Sequence, residues 1–186
     1  MVGCGPGGLS AALKAARTGI SVISVERFGF FGSNFTAVGV EGFAWCRHEG
    51  TIDSEGIDRE FENRAIEMGA TVPEPKSDSH TLDGEAFKVV ADYMVLEAGI
   101  MPILHRCFVV LVMEGKRIKG IITESKGGRE AILSGRVTDA TGVGDVARRS
   151  GAPMCKTPKE EMMAASVMVS ISGVDRQAFI DDPKAN

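Results

Sequence analysis

The chain has 186 residues, 44% of them hydrophobic and 25% charged, which is enough for one globular domain with its own core, or one domain and part of a second. Its net charge of −4, with no run of Lys or Arg, argues against a nucleic-acid or anionic-membrane surface, and no apolar run has the length of a membrane span. Cys4, Cys46, Cys107 and Cys155 stand far apart without a C-x-x-C pair, so they outline neither a disulfide framework nor a zinc site, and free thiols suit a reducing cytoplasm.

In chain order, Gly7 to Thr18 predicts a helix, with Leu9, Ala12, Leu13 and Ala16 at helical spacing and Gly19 as the stop. Ile20 to Val25 reads as a short buried strand ending at Glu26. The segment from Arg27 to Gly50 is rich in glycine and aromatics without a period and reads as a long loop, a feature that is usually functional. Glu55 to Met68 predicts a second helix, with Ile57, Phe61, Ala65 and Met68 as its apolar stripe. The prolines and polar residues of "TVPEPKSDSHT" predict an exposed connection. A third helix opens on Asp83 as cap, with Leu82 and Phe87 at the spacing of a hydrophobic staple. It shows Phe87, Val90, Ala91, Met94, Val95 and Ala98 on one face and stops at Gly99. Strands follow at about 103–113, 117–124 and 131–139, joined by two short turns, which predicts a β-meander. Thr157, Pro158 and Glu160 predict a capped helix start, and "SVMVSISGVD" a further strand.

The chemistry is signalled at the N-terminus, "MVGCGPGGLSAALKAARTG", where Gly3, Gly5 and Gly8 have the G-x-G-x-x-G spacing. Gly3 permits the tight turn, Gly5 lets backbone approach a pyrophosphate, and Gly8 allows close helix packing. The helix start supplies N–H groups and partial positive charge to phosphates. A helix opens behind the motif, a strand follows it, and Glu26 stands at that strand's end, placed to accept from ribose hydroxyls and to repel a 2′-phosphate. Only Met1 and Val2 precede Gly3, so the first strand is expected to be truncated and the chain to be a fragment.

"GCGPGGLSAALKAARTGISVISVER", "GFFGSNFT" and "DATGVGDVA", in that order, resemble the N-terminal part of FAD-dependent oxidoreductases. The nearest resemblance is to proteins related to the A subunit of heterodisulfide reductase, and more distantly to fumarate reductase flavoproteins. The resemblance covers essentially the whole chain. It implies an α/β, Rossmann-like FAD-binding fold with a parallel sheet, a helix layer and a three-stranded β-meander. It implies an FAD-binding domain over 1–150, lacking most of its first strand and the C-terminal flavin segment, and the incomplete start of a substrate domain over 151–186. It also assigns roles. Gly3, Gly5, Pro6, Gly7 and Gly8 would form the pyrophosphate loop, Glu26 would bind ribose, and Arg27 would sit by the adenine or phosphates. Gly32 and Ser33 would match a Gly-Gly pair that touches the cofactor, with Ser33 a departure from that pair. The backbone of Phe108 or Val109 would meet adenine, Thr141 and Gly142 would close over the pyrophosphate, and Asp145 is a further candidate there.

The implied activity is two-electron transfer, as hydride, through the flavin, with a small-molecule substrate and an electron donor or acceptor as partners, in the cytoplasm, in a chain that could form oligomers. Arg47 and His48, beside Trp45 and Cys46, are candidates for stabilising reduced flavin or moving a proton. Some relatives carry iron–sulfur clusters, but the cysteine spacing here supports none, and no metal site is expected. Two other readings stand beside this one. The same fingerprint serves an NAD-dependent dehydrogenase, and a truncated chain could serve as a non-catalytic binding or interaction piece.

Overall fold

The computed structural model describes residues 1–43, 47–48, 51–52, 55–74 and 79–181, with the backbone alone at 47–48, 51–52, 176 and 180. The chain divides into two compact units, Met1–Lys156 and Thr157–Asn186. In the first unit the elements are α1 (Pro6–Arg17), β1 (Ile23–Val25), β2 (Arg47–His48), β3 (Thr51–Ile52), α2 (Ile57–Glu67), β4 (Thr71–Pro73), β5 (His80–Leu82), α3 (Gly84–Glu97), β6 (Met101–Ile103), β7 (Cys107–Glu114), β8 (Arg117–Ser125), β9 (Gly128–Leu133) and α4 (Asp145–Arg149). The second unit holds one 3₁₀ turn, Lys159–Glu161, and α5 (Arg176–Asp181).

The protein is an α/β protein built on a short parallel sheet. β1 pairs parallel with β6, Ile23 against Met101 and Val25 against Ile103. On the other side of β1, Val2 forms parallel bridges to both Val25 and Asp139. The bonds that fix it there run on both edges. Val25 N–H donates to Met1 O at 3.0 Å and Gly3 N–H to Val25 O at 2.9 Å, while Val2 N–H donates to Thr138 O at 3.0 Å and Ala140 N–H to Val2 O at 2.8 Å. Two residues therefore hold a central strand position, because both of their edges are paired and Val2 is buried.

The two faces of this sheet are covered differently. Leu9, Ala12 and Leu13 of α1, Phe61 and Ala65 of α2, and Phe87, Val90, Ala91, Met94 and Val95 of α3 make one core. Phe87 packs edge-on against Phe35 and Phe61, with centroids 5.3 and 5.9 Å away. On the opposite face Val2 and Val25 pack with Leu111, Ile121 and Val146, the inner residues of the antiparallel sheet β7-β8-β9 and of α4. The strand serves both faces by alternation, with Ile23 and Val25 of β1 on the meander side and Val22, which precedes β1, on the helix side. α3 begins as its sequence demands: the Asp83 carboxylate accepts from the N–H groups of Glu85 at 2.9 Å and Ala86 at 3.0 Å, and Leu82 is buried beside it.

Several expectations need correction. The strand expected over 103–113 is two, β6 and β7, because His105 between them takes a positive φ of 55° that no strand can continue. The third meander strand ends at Leu133, and residues near Asp139 leave the meander to bond with Val2 instead. The expected exposed connection contains the hairpin β4–β5, with Thr71 opposite Leu82, held in place because Leu82 is buried. Met68 caps the end of α2 and lies exposed, whereas Glu62 of the same helix is buried, paired with Arg59 and with its Oε1 3.4 Å from His80 Nδ1. In the second unit the capping signal yields only the turn Lys159–Glu161, without a side-chain cap, and no strand forms over 166–175. Residues 157–174 are exposed throughout, and a short helix or lone strand without packing is not stable.

Candidate cofactor-binding site

A cavity of about 820 Å³ opens where β1, the Val2–Gly3 segment and residues 138–140 end and α1 begins. Ligands in open α/β sheets bind at this end, beyond the strand carboxyl ends. The glycines explain how the backbone reaches it. Gly3 has φ +86°, and a Cβ there would lie 2.3 Å from Ala140 O; a Cβ on Gly8 would lie 2.1 Å from Gly3 O. These two glycines are therefore required by the protein's own packing of α1 on the sheet. Gly7 differs: a Cβ there meets nothing within 4 Å, and Gly7 lines the cavity, so the space its missing side chain leaves belongs to the cavity.

The start of α1 is electrostatically open. Its cap residue, Gly5, has no side-chain acceptor, its first turn carries no acidic residue, and Lys14 and Arg17 lie in its last turn. Pro6 has no N–H, and Leu9 N–H already bonds Gly5 O at 2.8 Å. That leaves the amides of Gly7 and Gly8 without an intrahelical acceptor, at the positive end of the helix dipole.

Glu26 lies beside this turn. It is buried, and its carboxylate is held by backbone: Cys4 N–H donates to Oε2 at 2.7 Å and Phe28 N–H to Oε1 at 3.1 Å. Each oxygen keeps acceptor capacity, so the group can take further donors without moving. Cys4, between the first two glycines, is buried with its thiol pushed up to about 12, first by burial and then by the Glu26 charge. It is an inert packing thiol rather than a redox group.

The opposite wall is the turn from Asp139 to Gly144 with α4. The Asp139 carboxylate organises it: Oδ1 accepts from Thr141 N–H at 3.0 Å and from its hydroxyl at 2.7 Å, and Oδ2 accepts from Ala147 N–H at 2.8 Å. The Thr141 hydroxyl oxygen in turn accepts from Asp145 N–H at 2.9 Å. Burial acts to raise the Asp139 carboxyl, but the bonds from Ala147, Thr141 and Val146 outweigh it and hold the group below its ordinary value. Two cation–aromatic pairs line the remaining side, Arg27 over Phe28 at 4.6 Å and Arg149 over Phe108 at 5.7 Å.

Of the residues singled out from sequence, Gly3, Gly5, Pro6, Gly7, Gly8, Glu26, Arg27, Ser33, Phe108, Thr141, Gly142 and Asp145 all line this cavity. Gly32 and Val109 do not. Gly32 N–H bonds Cys4 O at 2.9 Å and supports the glycine turn from behind. Val109 stands at a register break between Phe108 and Val110. Ser33 takes φ 42°, the left-handed conformation a glycine adopts freely, and so keeps the backbone course of a Gly-Gly pair. The side chains of Arg47 and His48, and all of Trp45 and Cys46, lie outside the described residues. Sequence reasoning missed Phe28, Asn34, Arg106, Cys107, Asp139 and Arg149, which also line the cavity. Asn34 and Asp139 carried a signal, as members of the quoted "GFFGSNFT" and "DATGVGDVA". Among the described residues no group of His, Cys, Asp and Glu is arranged to hold a metal ion, and no helix is long and apolar enough to cross a membrane.

The fold is a Rossmann-like α/β fold with a cavity at the carboxyl ends of its parallel strands. The chain belongs to the FAD dependent oxidoreductase family, whose family model matches residues 1–185. Among solved structures it is similar to Thermovibrio ammonificans THI4, at 21% identity and TM-score 0.55, over 80% of this chain and 58% of that one. It is also similar to the Bacillus halodurans glycerol-3-phosphate dehydrogenase complexed with FAD, at 12% identity and TM-score 0.51, over 73% of this chain and 32% of that one. A third is a geranylgeranyl bacteriochlorophyll reductase-like protein from Thermoplasma acidophilum, at 17% identity and TM-score 0.51, over 88% and 42%. At these identities the likeness is one of fold, and the chain spans less than two thirds of each structure's length. No curated protein sequence matches the chain.

Proposed function

We propose that the cavity binds FAD and that the chain forms the cofactor-binding part of a flavoprotein oxidoreductase. The observation that carries this reading is the pairing of the uncapped start of α1, with free Gly7 and Gly8 amides, and the buried Glu26 carboxylate fixed beside it by Cys4 N–H. The residues present fit the group: the open space at Gly7 and the absence of acid in the first turn suit a diphosphate, and Glu26 suits vicinal ribose hydroxyls. The cavity volume of about 820 Å³ lies in the upper part of the range of small-molecule sites, which suits an extended dinucleotide.

In this reading the Gly7 and Gly8 amides bind the diphosphate, Glu26 accepts from ribose, Arg27 sits by the adenine or phosphates, and the backbone at Phe108 faces adenine. Thr141 and Gly142 close the site opposite the glycine turn. FAD, when bound, supplies two-electron transfer through its isoalloxazine, as hydride. The protein's part is to hold the cofactor, fix its orientation and keep Cys4 unreactive. A small-molecule substrate and an electron donor or acceptor complete the reaction, and the free thiols Cys4, Cys107 and Cys155 suit the cytoplasm.

The test is a titration of the purified chain with FAD, read by absorption and fluorescence, with NADH in parallel. Saturable FAD binding with a perturbed flavin spectrum is expected. Saturable NADH binding without FAD binding would instead identify a nicotinamide-dependent dehydrogenase.

A further inference from the structure

The cavity is faced by the first residues of two helices, and Asp139 makes them unequal. Its carboxylate fills the start of α4, bonding Ala147 N–H through Oδ2, and ties the preceding turn to itself through both the amide and the hydroxyl of Thr141. Thr141 passes the constraint on by accepting from Asp145 N–H. Every member of this chain of bonds belongs to the cavity wall or adjoins it, and Asp139, Thr141 and Asp145 line the cavity themselves. Asp139 also bridges Val2, the residue that leads into the glycine turn. The carboxylate thus fixes the Thr141–Gly142 wall to the start of α4, while backbone bonds from Val2 N–H to Thr138 O and from Ala140 N–H to Val2 O tie the same segment to the strand that leads into the glycine turn.

Resting on the FAD reading above, we propose that Asp139 is a positioning residue for the cofactor. It preorganises the Thr141–Gly142 wall. No contact between Asp139 and the cofactor is required. A preset wall removes an ordering cost that would otherwise be met at binding. The carboxylate matters because its two oxygens accept on opposite sides at once. An amide in its place keeps one acceptor and turns an N–H₂ toward either Thr141 or Ala147, so one side of the clamp is lost.

The experiment compares wild type with Asp139→Asn, Thr141→Val and Thr141→Ser, each checked for folding by thermal melting. Readouts are FAD affinity, the circular dichroism of the bound flavin, and amide hydrogen exchange of the free protein at Thr141, Asp145 and Ala147. The expected result is an affinity loss of about tenfold or more, about 1.4 kcal/mol, in Asp139→Asn and Thr141→Val. Faster exchange at the three amides and an altered flavin dichroism accompany it, and Thr141→Ser recovers most of the loss relative to Thr141→Val. If Asp139→Asn does not fold, Thr141→Val carries the test alone. Wild-type FAD binding with unchanged affinity and dichroism in the folded variants overturns this inference alone. Absence of FAD binding by wild type overturns the FAD reading, and this inference with it.

Discussion

Helices α1 and α4 both present their first residues to the same cavity, one with its donors free and the other with its donors filled. α1 has a glycine cap, a proline in its first turn and no acidic residue in that turn, so its amides remain available to an anion. α4 starts after Gly144 in a left-handed conformation, and its amide at Ala147 is taken by Asp139. Both starts sit after glycine-rich turns. The contrast teaches that two helix starts facing one cavity can differ in whether their donors are left unused, and that an internal carboxylate makes that difference.

The largest effect should come from breaking the docking of α1. Gly8→Ala places a Cβ 2.1 Å from Gly3 O, a backbone atom that cannot step aside. A destabilisation of about 3 kcal/mol or more is expected, at or beyond the upper end of overpacking costs, with loss of cofactor binding, measured by denaturant unfolding. Gly7→Asp sharpens the comparison by giving α1 what α4 already has. There is room for the side chain, and an acid in the first turn should stabilise the helix by about 0.3–1 kcal/mol. FAD binding should nevertheless disappear, because the new carboxylate occupies and repels at the same amides. A more stable protein that no longer binds separates site chemistry from folding in one variant.

A smaller effect concerns acid. Asp139 is held below its ordinary value of 3.8 in the folded chain, so its contribution is present above 3.8 and is lost as pH falls through the lowered folded value. Thermal melting from neutral pH downward should show an acid-dependent loss in wild type that is shallower in Asp139→Asn. The smallest effect is expected at Ser33→Gly. Release of the φ of 42° gains about 1 kcal/mol, and the added backbone freedom of glycine costs about 0.5–1 kcal/mol, so melting should barely move.

The parts legible in the sequence were those whose signals are local. The glycine spacing, the helix behind it, Glu26 at the end of β1 and the Asp83 cap each depend on residues within a few positions of one another, and the structure places them as read. The meander was legible as well, because its two short turns are local. The rest depends on pairing at long range. His105 interrupts what reads as one continuous strand because its backbone must follow the turn of residues 26–29, with His105 N–H bonding Phe28 O at 3.0 Å. The β4–β5 hairpin hides in a polar, proline-bearing segment, since only Leu82 is fully buried. Glu62 lies outside the apolar stripe read for α2, yet it is buried, paired with Arg59 and with its Oε1 3.4 Å from His80 Nδ1. Asp139 stands in the quoted "DATGVGDVA" without a role of its own, because its bond to Ala147, eight residues on, appears only once α4 has folded back.

The most direct measurement is an amide correlation spectrum of the isotopically labelled chain, recorded during an FAD titration. The account predicts that the Gly7 and Gly8 amides shift strongly and saturably, while Ala147, already bonded to Asp139, shifts little. Strong shifts at Ala147 with unmoved Gly7 and Gly8 would contradict it, placing the diphosphate at α4 rather than α1.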